Sequence, residues 1–398
     1  MSIEELRQKD GVRAFLREVA RREEGLDSFE TIHGASFRGD REEMQTLLEL
    51  RQDDDSFDIN EPHTTDGRTY LHSAAQGMPS SMIEYLVNSW GAEVDCQDKR
   101  GRTPLLYAAM NGSTRIITRL IALGADENAV DYEGMGALML AAQGGHVNAV
   151  VFLYQAGVDV SKPAKDGRTA LHVAAFTGQT SEISRDCMVE KLIDLGSSLG
   201  AVTRNMFVPL HYAALGNQST IIVKLYELGT NLDVSDMNGL TPLMVAADFG
   251  NLSSVRVLVK LGATVEQVDH RGLSAIHFAA RKGQVQVVKF LFSHIPPIAK
   301  PTRITLGTHL RDIATWRTNN DATPMTLAAE HQHHKVVELF HMAMLFGQLP
   351  VMQEHLVVLQ FEIYGISLDG GTIDAGRVKL MEYLKRLFGM RALDLPMY

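Results

Sequence analysis

Cysteine is scarce in this sequence of 398 residues, and long apolar runs and an excess of basic residues are absent. The two cysteines, Cys96 and Cys187, are too few for a disulfide framework or a cysteine-rich zinc site. No apolar run approaches about 18 residues, and the polar residues 1–10 do not resemble a secretory signal. The net charge of −10 argues against a protein that coats nucleic acid. We therefore expect a protein of the cytoplasm, a reducing compartment, with no membrane insertion and no nucleic-acid partner.

Motifs that carry catalysis are missing as well. The sequence contains no P-loop, no G-x-G-x-x-G, no G-x-S-x-G and no H-E-x-x-H. Its 15 histidines suggest a metal site, above all the group His331, His333, His334 and His341. Zinc favours histidines about four positions apart, together with a further Cys, His or carboxylate, whereas His334 and His341, which could share a helix face, are seven positions apart. We predict no enzyme, no cofactor and no metal site, and we expect no small-molecule ligand.

The sequence does contain an internal repeat. A heptapeptide related to Thr-Pro-Leu-His-x-Ala-Ala occurs eight times. The third residues of successive copies are separated by 34, 33, 33, 39, 33, 33 and 49 positions. Such a period is typical of a solenoid, in which each unit buries its apolar face only against its neighbours. The copies are Thr69–Ala75, Thr103–Ala109, Gly136–Ala142, Thr169–Ala175, Val208–Ala214, Thr241–Ala247, Ser274–Ala280 and Thr323–Ala329.

The motif and its period resemble the ankyrin repeat, a unit of 33 residues with the signature Thr-Pro-Leu-His-x-Ala. Segments such as Leu123–Asn128 are similar to the Leu-Gly-Ala-Asp-x-Asn end of that unit. The resemblance covers residues 62–342, and a degenerate first copy at 31–61 extends the ankyrin domain to 31–342. It implies an all-α solenoid of helix-turn-helix units with β-hairpin loops. It also implies that the signature histidines join neighbouring hairpins by hydrogen bonds: His72, His172, His211 and His277. We number the copies one to nine, counting the degenerate copy as repeat one.

The residue types of the repeat explain a pair of helices. A leading threonine such as Thr103 can cap a helix, and Pro104 fits the first turn, where no N–H is needed. The alanine pairs let neighbouring helices approach closely. Gly124 can end a second helix in the left-handed conformation. The apolar residues of that helix recur at helical spacing and are expected to face the stack: Ile116, Ile117, Leu120 and Ile121.

Several departures from the pattern are informative. Repeat five has six additional residues near 180–185, and a larger insertion lies near 295–319. Both predict loops that are either recognition elements or neutral surface. Met206 stands where other repeats have a turn glycine, so a positive φ there would strain it. Gly136 replaces the leading threonine of repeat four and removes that cap.

Both ends of the chain differ from the repeat. Residues 3–24 have the apolar spacing of an amphipathic helix, so we predict an N-terminal helical cap at 1–30. Residues 1–60 contain 16 acidic and nine basic residues and form either a solvated acidic cap or a docking surface for a basic partner. Residues 343–398 predict a C-terminal helical cap, or alternatively a small module that binds a partner.

The resemblance also locates a binding surface. Ankyrin arrays bind through a concave face formed by hairpin tips and the outer ends of the first helices. Several residues at these positions are aromatic or methionine here, and interface hot spots favour aromatics and arginine. Alternatively, some of these side chains fold back onto their own hairpins. The predicted partner-binding residues are Lys99, Arg100, Arg102, Met110, Tyr132, Met135, Phe176, Arg204, Phe207, Met237, Phe249, His270, Arg271 and Arg281.

These observations together predict a protein–protein interaction scaffold or adaptor, on its own or as a subunit of a larger assembly. Two alternatives stay open. One is a regulatory or host-directed effector whose segment 343–398 carries a separate activity, and the other is a structural subunit of a cytoskeletal or ciliary assembly. The resemblance further implies that Asn128 is either a site for an asparaginyl hydroxylase or simply a cap of its loop.

Overall fold

The computed structural model describes residues 32–52, 57–63, 65–77, 80–178, 188–294 and 316–348. The predicted N-terminal cap, the insertion near 180–185, most of the insertion near 295–319 and the segment 349–398 lie outside these residues. In the described residues the secondary structure consists of short helices joined by tight turns, with isolated β-bridges in place of strands. No helix in this part of the chain is both long and apolar enough to cross a membrane.

The chain divides into two compact units, and each is described by itself. Unit 1 comprises residues 1–174 and 179–201, and unit 2 comprises residues 175–178 and 202–398. Helix α9 (Ala170–Thr177) contributes residues to both. Unit 1 contains α1 (Ile32–Arg38), α2 (Arg41–Gln52), α3 (Tyr70–Gln76), α4 (Ser80–Trp90), α5 (Pro104–Met110), α6 (Thr114–Ala122), α7 (Ala137–Gln143), α8 (Val147–Gln155) and α10 (Met188–Asp194). Unit 2 contains α11 (Pro209–Leu215), α12 (Ser219–Glu227), α13 (Pro242–Phe249), α14 (Leu252–Leu261), α15 (Ala275–Arg281), α16 (Val285–His294), α17 (Pro324–Glu330) and α18 (His334–Gln348).

Within each unit the helices form two rows. The first helices of successive repeats pack on one another, as α3, α5 and α7 do in unit 1 and α11, α13, α15 and α17 do in unit 2. The second helices form a parallel row, α4, α6 and α8 in unit 1 and α12, α14, α16 and α18 in unit 2. Helices α1 and α2 pack on each other, and α1 packs on α3. The degenerate copy at 31–61 therefore contains the same helix pair as the repeats that follow it.

The core lies between the two rows of helices. The alanine pairs of repeats two to eight are buried, as at Ala108 and Ala109, so side-chain volume does not hold these first helices apart. The second helices contribute branched apolar residues, and in α6 the buried ones are Ile116, Ile117 and Leu120, whereas Ile121 is only half-buried. Each repeat thus completes its core against the next one, which is the stacking that the period predicts.

The helix ends follow the predicted chemistry in part. Thr103 and Thr241 precede helices that start with proline, and both have the extended backbone of a cap residue. The Thr241 hydroxyl accepts from the N–H of Met244 at 3.4 Å, whereas the side-chain cap predicted for Thr103 is not formed. The second helix α6 is followed by Gly124, whose φ of 94° is left-handed as predicted. Gly136 precedes α7 without any side-chain cap, as its lack of a side chain requires. The all-α repeat fold that the sequence predicts is confirmed.

Candidate protein-binding surface

In four repeats the hairpin tip is closed by a buried aspartate that lies six residues before the first helix. Asp98 Oδ1 accepts hydrogen bonds from the backbone N–H groups of Arg100 and Arg102, both at 2.8 Å. Asp131, Asp236 and Asp269 make the same pair of bonds in their own repeats. These carboxylates are between 4% and 7% exposed. The spacing of aspartate and the leading Thr, Gly or Ser was visible in the sequence, but we did not assign it a role.

Successive tips are joined by backbone hydrogen bonds. In unit 1 the N–H of Tyr132 donates to the carbonyl of Arg100 at 2.9 Å, and in unit 2 that of His270 donates to Asn238 at 3.0 Å. Because donor and acceptor both belong to the main chain, these bonds place no demand on the tip side chains. We call the linked tips of one unit its tip row.

The tip row has one weak position, at Met206. This residue has a φ of 64°, in the left-handed region that its glycine counterparts adopt, for example Gly239 with a φ of 82°. The bond beside it, from the N–H of Met237 to the carbonyl of Asn205, measures 3.3 Å and is the longest tip-to-tip bond in the described residues. The strain that the sequence predicts at this position is therefore present.

The signature histidines form a second set of bonds between repeats. His72 Nδ1 accepts from the N–H of Thr69 at 3.0 Å, so its Nε2 carries the proton and donates to the carbonyl of Arg102 at 2.8 Å. His211 bonds Leu240 in the same way at 2.9 Å, and His277 bonds Trp316 at 3.3 Å. Burial lowers the pKa of all three imidazoles, that of His277 to about 4. These bonds confirm the role that the resemblance implies.

A third set of bonds was not anticipated from the sequence. In several repeats the residue before the second helix reaches the end of the preceding repeat's first helix and donates to a carbonyl there. His146 Nε2 lies 3.0 Å from the carbonyl of Met110, and Asn251 Nδ2 lies 2.8 Å from that of Leu215. His333 occupies this position and lies 3.0 Å from the carbonyl of Arg281. Both histidine and asparagine make this bond, so no single residue type recurs at the position and the repeat pattern does not indicate the bond.

Nine of the predicted binding residues are exposed. They lie at hairpin tips and at the C-terminal ends of first helices, and together they form what we call the tip face of each unit. The most exposed of the apolar ones are Tyr132 and Phe249, at 60% each, and Met237 at 57%. The nine are Lys99, Arg100 and Tyr132 in unit 1 and Phe176, Arg204, Met237, Phe249, His270 and Arg271 in unit 2.

The comparison with known families agrees with this geometry. The family model described as "Ankyrin repeats (3 copies)" matches overlapping segments that together span residues 32–302. The chain belongs to the ankyrin-repeat family. No curated protein matches this ankyrin chain in a search of such proteins. The match begins at the degenerate first repeat, and the ninth repeat follows its end with the ankyrin helix pair α17 and α18.

One predicted binding residue of the ankyrin array is not on the surface. The expectation of an accessible side chain is wrong for Met135, which is 5% exposed. Its backbone closes the hairpin with Asp131, donating to the carboxylate at 2.9 Å and accepting from the aspartate N–H at 3.1 Å. Leu273 occupies the same place in repeat eight and is 7% exposed. A residue at this place in an ankyrin hairpin therefore serves the core when it is apolar.

Four further predicted residues are half-buried because they bond within the ankyrin array. Arg102 Nε lies 3.4 Å from Asp131 Oδ2, and its Nη1 lies 3.8 Å from Met110 Sδ. The ring of Phe207 stacks on that of His211, with centroids 4.7 Å apart. Arg281 is ion-paired with Asp248 at 2.9 Å. The alternative that a side chain folds back within its own repeat describes Phe207 and Met110, whereas Arg102 and Arg281 also bond to a neighbouring repeat.

The histidine group of repeat nine is explained by the ankyrin fold. His333 makes the loop bond described above, and His331 Nδ1 lies 2.9 Å from the carbonyl of Leu327. Among the described residues no three His, Cys, Asp or Glu side chains come together as metal ligands would. Asn128 is exposed, and its N–H donates to Asp126 Oδ1 at 2.9 Å, so this carboxylate holds the loop.

Two buried groups have shifted pKa values without a catalytic arrangement around them. Burial raises the pKa of the Cys96 thiol to about 11, and the thiol lies 3.1 Å from the hydroxyl of Thr69. Burial and a hydrogen bond of 2.8 Å to Asp98 raise the pKa of Tyr107 to about 12. A thiol with a raised pKa is a poor nucleophile, so both groups serve the packing of the hairpins.

The sequence did not single out some exposed apolar residues of the array. Met206 is 48% exposed, because the left-handed turn directs a residue at the glycine position away from the core. Phe37 at the end of α1 is 45% exposed. Tyr154 and Tyr226 are 42% and 43% exposed and lie on second helices, away from the hairpin tips. Tyr154 and Tyr226 occupy the same position in the second helices of their two repeats.

Proposed function

We propose that this ankyrin-repeat chain is a scaffold or adaptor that recognises partner proteins through the tip faces of its two units. Ankyrin repeats generally mediate protein–protein interaction and typically have no enzymatic activity. We propose that this chain likewise acts by binding alone and needs no cofactor. The cytoplasmic, reducing compartment stays a prediction from the scarcity of cysteine.

The observation that carries the proposal is the exposure of bulky apolar side chains on the tip faces. Tyr132, Met237 and Phe249 are each more than half exposed. Burying one such side chain against a partner contributes about 1.5–3 kcal/mol. Single exposed apolar residues are common on proteins, but residues of this size at the recognition positions of the family favour an interface.

The bonding pattern between repeats supports the same proposal. The tip rows, the signature histidines and the loop side chains hold each backbone in place through buried or main-chain groups. The exposed tip side chains take no part in these three sets of bonds. A surface that is rigid before binding loses less conformational entropy when the partner arrives, which strengthens binding at a given contact area.

The proposal is tested by cross-linking in cells that express the full chain, followed by identification of the attached proteins. The variant carries Tyr132→Ala, Met237→Ala and Phe249→Ala. The matched control carries Tyr154→Ala and Tyr226→Ala, which remove exposed aromatic groups from the second helices. We expect the tip-face variant to lose proteins that both the wild type and the control retain. Equal sets of attached proteins for all three chains would contradict the proposed binding surface.

A further inference from the structure

The exposed charges on the tip face of repeats six to eight, which belong to unit 2, have one sign. The exposed charged residues at the tips and at the ends of the first helices of these repeats are Arg204, Arg271 and Lys282. The carboxylates of this region are withdrawn from the surface. Asp236 and Asp269 are 7% and 4% exposed.

The buried carboxylates are also occupied. Asp236 Oδ1 accepts two backbone N–H groups, from Asn238 at 2.8 Å and from Leu240 at 2.7 Å. Asp269 makes the equivalent bonds and also pairs with Arg271 at 2.9 Å. The remaining carboxylate of the region, Asp248, is ion-paired with Arg281. The charged groups that a ligand can reach on this surface are therefore cationic, and the carboxylates already have partners within the chain.

Two of the cations, Arg204 and Lys282, form no ion pair with any residue that the structure describes, and both are exposed. They belong to repeats six and eight, on either side of the exposed Met237 and Phe249 of repeat seven. Two apolar side chains thus lie between two unpaired cations in successive repeats. The tips of these repeats are linked in one row by the bonds from Met237 to Asn205 and from His270 to Asn238.

The tip face of unit 1 provides an internal comparison. Its exposed tip residues include the cations Lys99, Arg100 and Lys165, but also the carboxylates Glu133 and Asp166. Charges of both signs alternate there, so no single ligand charge is favoured. Among the described residues, the absence of exposed carboxylates at the tips is a property of repeats six to eight and is not shared by every ankyrin tip of the chain.

We infer that the tip face of unit 2 binds an acidic peptide segment of a partner protein, with carboxylates on both sides of a bulky apolar residue. The inference rests on the proposed function and names the partner's chemistry at one of the two faces. The apolar residue packs against Met237 and Phe249, and the carboxylates pair with Arg204 and Lys282. Neighbouring helices pack about 8–10 Å apart, so three repeats span about 20 Å, or about six extended residues.

Charge and apolar contact together favour a peptide over a nucleic acid. Nucleic-acid surfaces need many clustered Lys and Arg to neutralise successive phosphates. This face has two cations that form no ion pair among the described residues and two large exposed apolar side chains. This combination matches a peptide in which charged and apolar side chains alternate. Such pairing also selects against basic partners, because like charges would be brought together.

The test measures fluorescence anisotropy of labelled probes titrated with the full chain. The probes are a peptide of about eight residues that alternates Glu and Leu, a Lys–Leu peptide of equal length, and an oligouridylate of similar reach. We expect the Glu–Leu peptide to bind and its affinity to fall with added salt. The Lys–Leu peptide and the oligouridylate should not bind. Binding of either one with equal affinity would overturn the inference.

The variant for this test carries Arg204→Glu and Lys282→Glu, and neither residue is buried or ion-paired in the described part of the chain. The matched control carries Arg256→Glu and Lys260→Glu, which change the net charge equally on the exposed side of α14. We expect at least about a tenfold loss of Glu–Leu affinity in the variant and little change in the control. Equal losses in both would show a general charge effect and overturn the inference.

The two proposals fail in distinguishable ways. If the Glu–Leu peptide does not bind while the tip-face variant still loses its cellular partners, the proposed function stands and the acidic-peptide inference falls. If the tip-face variant retains every partner, the proposed function itself falls. Thermal melts by circular dichroism show whether each charge variant remains folded.

Discussion

Replacing Met206 by glycine should stabilise the protein. An L-residue with a side chain pays about 1–2 kcal/mol for the left-handed conformation, and Met206 has a φ of 64°. Glycine avoids this cost, but it loses about 0.5–1 kcal/mol more conformational entropy on folding. The methionine side chain is 48% exposed, so little packing is lost. The expected net gain in free energy of unfolding is about 0.5–1 kcal/mol.

The effect should appear both globally and locally. In a unit of this size, a gain of 1 kcal/mol raises the melting temperature by about 2–4 °C. The bond from the Met237 N–H to the carbonyl of Asn205, now 3.3 Å, should shorten, and the amide of Met237 should exchange its hydrogen more slowly. Asp321→Gly is the matched control, because Asp321 has a φ of 63° but aspartate adopts this conformation more readily. A Met206→Gly protein that melts at or below the wild-type temperature would refute this account of the strain.

Three further predictions follow from buried groups. Thr103→Val should stabilise the chain by about 1 kcal/mol, because the Thr103 hydroxyl is buried without a hydrogen-bond partner. Thr69→Val should destabilise by a similar amount, because the Thr69 hydroxyl bonds His72 Nδ1 at 3.0 Å; urea unfolding of the two variants should give opposite signs, and equal signs would contradict this reasoning. His277 is neutral when folded, with a pKa lowered from 6.5 to about 4 by burial, so its stabilising contribution is complete above pH 6.5 and is lost as the pH falls toward 4. The loss amounts to about 2 kcal/mol at pH 5, so the decline in free energy of unfolding should be smaller by this amount in His277→Gln than in the wild type, and an equal decline would contradict the assignment. Cys96 should react with maleimide only on unfolding, because burial raises the pKa of its thiol to about 11; the measurement uses a Cys187→Ser chain, and rapid labelling of that chain while folded would contradict the placement of Cys96.

The repeat pattern was sufficient to predict the helices, because its residue types act locally. Proline fits only a first turn, and a left-handed end needs glycine, so Pro104 and Gly124 mark helix boundaries without reference to distant contacts. The same reasoning identified Met206, because methionine stands there at the turn position where other repeats have glycine, and a left-handed backbone strains it. The exposed tip residues, such as Tyr132, also followed from register alone.

What the sequence could not reveal is the direction of individual side chains at the tips. Met135 and Tyr132 lie three positions apart in one hairpin, yet one is buried and the other exposed. The difference arises from the aspartate that closes the hairpin, whose bonds become clear only once the backbone is placed. The loop bonds of His146 and His333 were missed for another reason, since donors of several residue types share that task.

The main-chain linkage of the tips has a consequence for how this protein can change. The bonds between Tyr132 and Arg100 and between His270 and Asn238 use atoms that every residue except proline possesses. Side chains at such places are thus interchangeable without loss of register between repeats. Mutation can alter what the chain recognises at little cost in folding, and an engineer can graft a new specificity onto the same scaffold by the same route.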